Sequence, residues 1–180
     1  TRKGRQQALA AGAALKEIVG ADTVRAYVSP YTRTRQTYEL LKEALGPAIV
    51  LAQEEPRLRE QDRGNFQDRK EMKRGRRARA AFGHFFFRFS HGESGADVCD
   101  RVSTFLETLH RDFDQPDYPA NALLVTHGLT LRLFLMRWFH WTVEYFESLK
   151  NPGLCEFRVL TLGPDGSYDL DRPMRQVKSF

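Results

Sequence analysis

Twice in this chain of 180 residues an apolar strand runs through a short polar turn straight into a helical pattern. Val24–Val28 leads through Ser29-Pro30-Tyr31 into Thr32–Leu45, and Ala122–Thr126 leads through His127-Gly128 into Leu129–Trp138. The second strand is apolar throughout, as a parallel strand covered on both faces must be. Strands alternating with helices predict a doubly wound α/β fold, a three-layer sandwich around a mostly parallel central sheet. In such sheets the turns at the carboxyl ends of the strands form the ligand crevice. One of these turns carries Arg33, the other His127 followed by Gly128. A guanidinium and an imidazole facing one crevice are donors suited to a phosphoryl group.

The other periodicities fill in the elements. Residues 1–19 predict a helix stopped by Gly20, and Ile49–Leu51 a short buried strand. Residues 53–68 set Pro56 and Gly64 among charges and read as loop, followed by a cationic helix over Asp68–Ala81. Ser94 and Asp97 form a capping-box-like start to Ser94–Phe113, where Val98, Val102, Phe105, Leu106, Leu109 and Phe113 share a face. Leu154–Leu162 alternates Cys155, Phe157 and Val159 with Glu156 and Arg158 and predicts a strand nearer the sheet edge. Gly163–Gly166 is a turn, and the polar tail beyond Asp171 is expected to be mobile.

Charge is concentrated in one place. Of the net +5, residues 57–79 hold ten Lys/Arg against four Asp/Glu, so this segment is an anion-attracting surface on an otherwise balanced chain. The basic stretch Arg69–Arg79 runs into Phe82, Phe85, Phe86, Phe87 and Phe89. Three readings stand: a solvated helix face above packed phenylalanines, a collector of anionic substrate, or a dock for a protein or for nucleic acid whose bases stack on the rings. His84 and His91 flank the patch and read as structural. No run of about 18 apolar residues is present, so no membrane span is expected. Cys99 and Cys155 show no metal-ligand spacing and read as thiols, which points to the cytoplasm or another reducing compartment.

Four segments occur in a fixed order. Ser29 to Thr37 spells S-P-x-x-R-T-x-Q-T, Leu58-Arg59-Glu60 is an L-x-E segment, Gly92-Glu93-Ser94 is G-E-S, and Leu123–Gly128 is a strand ending in T-H-G. In these the chain resembles the histidine phosphatase superfamily, the phosphoglycerate-mutase-like proteins, over roughly residues 1–162. The resemblance implies a single phosphoglycerate-mutase-like domain over 1–180, with a basic and aromatic cap at about 53–96. It implies a metal-independent phosphatase that acts on a phosphomonoester through a phosphohistidine, with a small phosphorylated substrate and no cofactor. Arg33 and His127 become phosphoryl donors, with His127 charged beside the anion, and Glu60 becomes the general acid, with Asp62 and Glu93 as competing carboxyls. Ser29, Thr34, Arg63, Glu93 and Gly128 become substrate-binding residues. Arg63 stands where relatives often carry an aromatic, so charge replaces a stacking surface in the pocket wall.

The family's nucleophile is the histidine of an R-H-G turn, which precedes a T-x-x-G-x-x-Q-A helix start. Thr1–Ala8 matches that helix start, and R-H-G does not occur in the 180 residues. The resemblance places the R-H-G strand in the sheet beside those at 24–28 and 122–126, so an open place in the sheet is expected. Two functions follow. One is a phosphatase whose nucleophile lies ahead of Thr1, with a mutase less favoured. The other is a non-catalytic relative that docks through its basic patch.

Overall fold

The computed structural model describes residues 1–64 and 69–177. The Thr1 hydroxyl accepts the Gly4 amide at 3.1 Å and caps α1, Arg2–Val19, which ends at Gly20. Strand β1, Val24–Val28, follows, and Tyr31 opens α2, Thr32–Leu45, which the breakers Gly46-Pro47 close. β2 extends over Ile49–Glu54, three residues beyond the expected strand, and passes through a 3-10 turn at Pro56–Leu58. The cationic helix is α3, Arg69–Phe82; Asp68, its expected first residue, lies outside the described residues. α4, Gly95–Phe113, begins with a true capping box between Ser94 and Asp97. β3, Asn121–Val125, then leads into α5, Gly128–Trp138, and α6, Val143–Ser148. The chain closes with a hairpin of β4, Leu160–Leu162, and β5, Tyr168–Leu170.

The sheet has the order β2-β1-β3, all parallel. Along β1, Ala26 and Val28 face α1 and α2, where Ala11, Tyr38 and Leu41 cover them. Tyr27 points to the other face, into the core formed by α4, α5 and α6. Its ring meets Phe105 edge-on at 5.4 Å, and its hydroxyl donates to Asp112 at 2.6 Å. Burial raises the Tyr27 phenol well above its ordinary pKa, and the Asp112 hydrogen bond adds to this, so the group stays a donor. Helices on both faces of a parallel sheet make the expected three layers. Among the described residues no helix is long and apolar enough to cross a membrane.

β1 pairs directly with β3, from Val24 opposite Asn121 to Val28 opposite Val125, so no strand separates them. The open place in the sheet is instead the outer edge of β3. A cleft of about 1060 Å³ runs there, walled by Leu15 and Leu41 on one side and by Leu135 and Trp138 on the other. Cys155, Phe157 and Val159 line it opposite Leu123 and Val125.

That cleft accounts for one correction. The strand expected over Leu154–Leu162 forms only at Leu160–Leu162, and it pairs with β5 rather than with the central sheet. Alternation specifies which side chains face inward, but a strand also needs a neighbour for its amides and carbonyls. Cys155 moreover sits at φ 58°, outside the strand region. Both cysteines are free thiols, Cys99 buried and Cys155 half-buried.

The tail is a second correction. Residues 172–177 are strapped down rather than loose. Lys150 donates to the Arg175 carbonyl and Val177 to the Ser148 carbonyl, both at 2.7 Å, and Met174 is buried.

Candidate active site

The site forms where β1 and β3 end side by side. The Ser29 amide donates to the Val125 carbonyl at 2.9 Å, which sets the turn after β1 against the turn after β3. Ser29 is fully buried, and its hydroxyl meets Nε2 of His127 at 2.7 Å. In the first turn of α2, Arg33 donates through Nη2 to Nδ1 of His127 at 2.9 Å. The Tyr31 ring packs edge-on against the imidazole at 5.2 Å and lies 4.7 Å below the Arg33 guanidinium. Thr34 is buried, and its hydroxyl is shared between the Ser29 carbonyl at 2.9 Å and the Tyr31 carbonyl at 2.7 Å. The structure therefore brings Ser29, Arg33 and His127 together, while Thr34 holds the turn that presents them.

Burial pushes the His127 pKa down to about 3, and the guanidiniums of Arg33 and Arg101 add to this. The imidazole is neutral in this structure, against the charged form expected beside an anion. A phosphoryl group between Arg33 and His127 would act in the opposite direction, because a nearby negative charge favours the imidazolium.

Gly128 opens α5 directly after His127. A Cβ there would press on Asn151, whose Cγ would lie 3.0 Å away, so Asn151 would have to give by a few tenths of an ångström. Asn151 is fixed in turn by Arg132, which donates to its Oδ1 at 2.9 Å and to the Phe146 carbonyl at 2.8 Å. Arg132 is almost fully buried and lies over the Phe146 ring at 4.3 Å. Burial lowers its pKa to about 10, still far above neutrality, so it remains a cation inside the core.

The Leu58–Glu60 segment is stapled to the same turn. The Thr126 hydroxyl donates to the Leu58 carbonyl at 2.8 Å and the Thr130 hydroxyl to the Arg59 carbonyl at 2.9 Å. This leaves Glu60 lining the cleft with Arg33, His127 and Gly128. Glu93, by contrast, is committed to structure. It pairs with Arg59 and Arg101 and accepts the Asp62 amide at 2.9 Å. Burial alone would raise its pKa, but the Arg101 hydrogen bond, the Asp62 amide and the Arg59 charge outweigh this and hold the carboxyl below its ordinary value. Asp62 turns its own carboxylate to the Gly64 amide at 2.8 Å. Arg63 is half-buried, with its Nε buried and unpartnered among the described residues.

Two participants escaped the reading of the sequence. Arg101 faces His127 electrostatically and braces Glu93, yet nothing but its place beside the apolar face of α4 marks it. Arg132 did leave a signal, a lone cation inside the apolar run Leu129–Met136.

Comparisons with known proteins identify the family. The family described as the histidine phosphatase superfamily (branch 1) matches residues 1–171. The chain belongs to the histidine phosphatase superfamily. It is 46% identical over 183 aligned positions to the phosphoglycerate mutase-like protein AT74 of Arabidopsis thaliana, covering 94% of this chain and 58% of that protein. It is 55% identical over 101 positions to the broad-range acid phosphatase DET1 of Saccharomyces cerevisiae, covering 54% of this chain and 30% of that one. The chain thus spans less than two thirds of the length of these relatives. Among solved histidine phosphatase folds, a mycobacterial glucosyl-3-phosphoglycerate phosphatase superposes with a TM-score of 0.74 at 22% identity, covering 98% of this chain and 88% of that one. At that identity the likeness is one of fold.

Proposed function

We propose that this chain belongs to a metal-independent phosphomonoesterase, and that its nucleophilic histidine sits on a strand preceding Thr1. The observation that carries this reading is the Ser29–His127–Arg33 array, set beside Glu60 at the mouth of a cleft along the unpaired edge of β3. An added strand in that cleft would bring its carboxyl end to these residues, because β1 and β3 both end there. The segment at about 53–96 would act as the cap.

In the proposed reaction an imidazole nitrogen attacks phosphorus and forms a P–N bond as the ester P–O bond breaks. Glu60 gives its proton to the leaving alcohol, then accepts one from the water that attacks the phosphohistidine. Release of phosphate restores both groups. Negative charge spread over the equatorial oxygens is met by Arg33 and by the His127 imidazole. Ser29 orients His127, and Gly128 admits the anion to the backbone.

The test is the longer protein, with the residues that precede Thr1. It should hydrolyse p-nitrophenyl phosphate in the presence of a chelator and give an acid-labile, alkali-stable phosphoenzyme on rapid quenching. β3 amides at Ala122 and Leu124, which face away from β1, should gain protection from hydrogen exchange relative to residues 1–180 alone. Absence of turnover and of phosphoenzyme together would overturn the reading.

A second reading, docking without catalysis, draws on one observation. Arg74, Arg76 and Arg77 lie exposed on α3, and Phe82 and Phe86 stand beside them 70% and 65% exposed. Reversing the three arginines to glutamate would abolish capture of an acidic protein or nucleic-acid partner under this reading. Undiminished capture would remove it.

A further inference from the structure

Arg132 fixes which way the Asn151 carboxamide points. A guanidinium only donates, so the atom of Asn151 that meets Arg132 Nη1 at 2.9 Å is its oxygen. The other fork of Arg132, Nη2, is committed to the Phe146 carbonyl at 2.8 Å, and the residue is only 1% exposed. Arg132 stands one turn after Gly128 on α5, so Asn151 is held against the start of that helix. Asn151 itself is exposed. A surface asparagine is ordinarily free to turn, and burying a guanidinium is costly. A cation sunk in the core here holds a surface carboxamide in one orientation.

The carboxamide nitrogen is left with the opposite direction. It lies 3.2 Å from the place that a Cβ on Gly128 would take, beside the residue that follows His127. Among the described residues nothing accepts from it. The amides of Gly128 and Leu129 open α5 and have no carbonyl within the helix to bond. Pro152 and Gly153, the next residues after Asn151, line the cleft together with Gly128, His127, Arg33 and Glu60. A fixed N–H donor therefore stands at the mouth of the phosphoryl site, next to backbone donors that also lack an acceptor in the helix.

We propose that Asn151 Nδ2 is a further donor to the transferring phosphoryl group, beside the Gly128 amide, and that Arg132 is the residue that positions it; this rests on the phosphatase reading for what occupies the site. Asn151 lies outside all four sequence segments that mark the family. Negative charge is spread over the equatorial oxygens as the ester bond breaks, and a donor already held in place meets it without reorganising. Being neutral, the carboxamide adds this hydrogen bond without a further charge beside Arg33.

The experiment uses the longer protein, with turnover of p-nitrophenyl phosphate and calorimetric binding of inorganic phosphate as its two readouts. Asn151→Asp is nearly isosteric and keeps an acceptor for Arg132, but it removes the donor and adds a charge. Asn151→Ala removes the donor and adds no charge, but it leaves Arg132 without that acceptor. Both should lower kcat by about 10-fold to 100-fold, between the loss of an ordinary hydrogen bond and that of a transition-state donor, and both should weaken phosphate binding. A purely structural role spares Asn151→Asp, and a purely electrostatic effect spares Asn151→Ala; either result overturns the proposal. Arg132→Lys tests the positioning. It should lower kcat in the otherwise wild-type protein and add less than about 2-fold in the Asn151→Ala background, because it acts through Asn151. Additive losses overturn that role. A wild type that binds phosphate without turnover removes the phosphatase and leaves Asn151 to be decided by phosphate binding. Turnover that neither Asn151 variant changes removes Asn151 and keeps the phosphatase, and neither turnover nor binding in the wild type removes both.

Discussion

Arg33 donates to Nδ1 of His127 at 2.9 Å, and because a guanidinium cannot accept, this contact assigns the imidazole proton to Nε2. Ser29 Oγ, 2.7 Å from Nε2, is therefore the acceptor of that proton's hydrogen bond. The ring is held from both ends, one by a charge and one by a buried hydroxyl.

Activity should follow that order of importance. In the longer protein, His127→Ala should lower phosphatase turnover by about 100-fold or more, the usual loss for one transition-state donor. Ser29→Ala keeps the ring but frees its orientation, and should cost about 10-fold, equivalent to one hydrogen bond of about 1.4 kcal/mol. Steady-state assays of the folded variants decide this. Turnover in His127→Ala within a factor of two of wild type would remove His127 from the mechanism.

The neutral imidazole also makes stability depend on pH. Its folded pKa of about 3 lies below the roughly 6.5 of an unfolded histidine. Between those values the unfolded chain binds a proton that the native state refuses. The contribution is complete above the unfolded value and is lost as pH falls toward 3, at up to about 1.4 kcal/mol per pH unit. Urea midpoints taken from neutral pH down to about pH 5 should fall less steeply for His127→Gln than for wild type. Parallel slopes would mean that the ring takes up a proton as readily in the native state as in the unfolded chain.

Arg132 should be costly to remove although it lies beside rather than in the chemistry. Arg132→Met fills similar volume but leaves the Phe146 carbonyl and Asn151 Oδ1 without their donor. A loss of about 3 kcal/mol is expected, read as a lower urea midpoint at constant slope.

The capping box of α4 gives a smaller, local prediction. Ser94 accepts the Asp97 amide at 3.2 Å while Asp97 accepts the Ser94 amide at 2.6 Å. Ser94→Ala should cost about 1 kcal/mol. Loss of the cap should also raise amide exchange in the first turn of α4 before it is felt at Leu109.

What could be read from the residues, and what could not, divides along a physical line. Helices such as α4 carry their own hydrogen bonds, so a cap residue and a 3.6-residue period are enough to place them. β1 and β3 were legible because an apolar strand followed by a turn and a helix has few packings open to it. The 154–159 segment was misread as strand, since its alternation states which side faces the core but not whether a ladder partner stands beside it. The acid segment shows the same limit. Its motif named Glu60, whereas the hydroxyls of Thr126 and Thr130 that hold it are bonds between distant parts of the chain.

Those two threonine hydroxyls have a kinetic consequence. Because Leu58 and Arg59 are fastened to the start of α5, Glu60 and His127 ride on one rigid body, and in the proposed reaction so do the proton donor and the phosphoryl-binding imidazole. Exchange of substrate can then be fast or slow while the distance over which the proton travels stays the same.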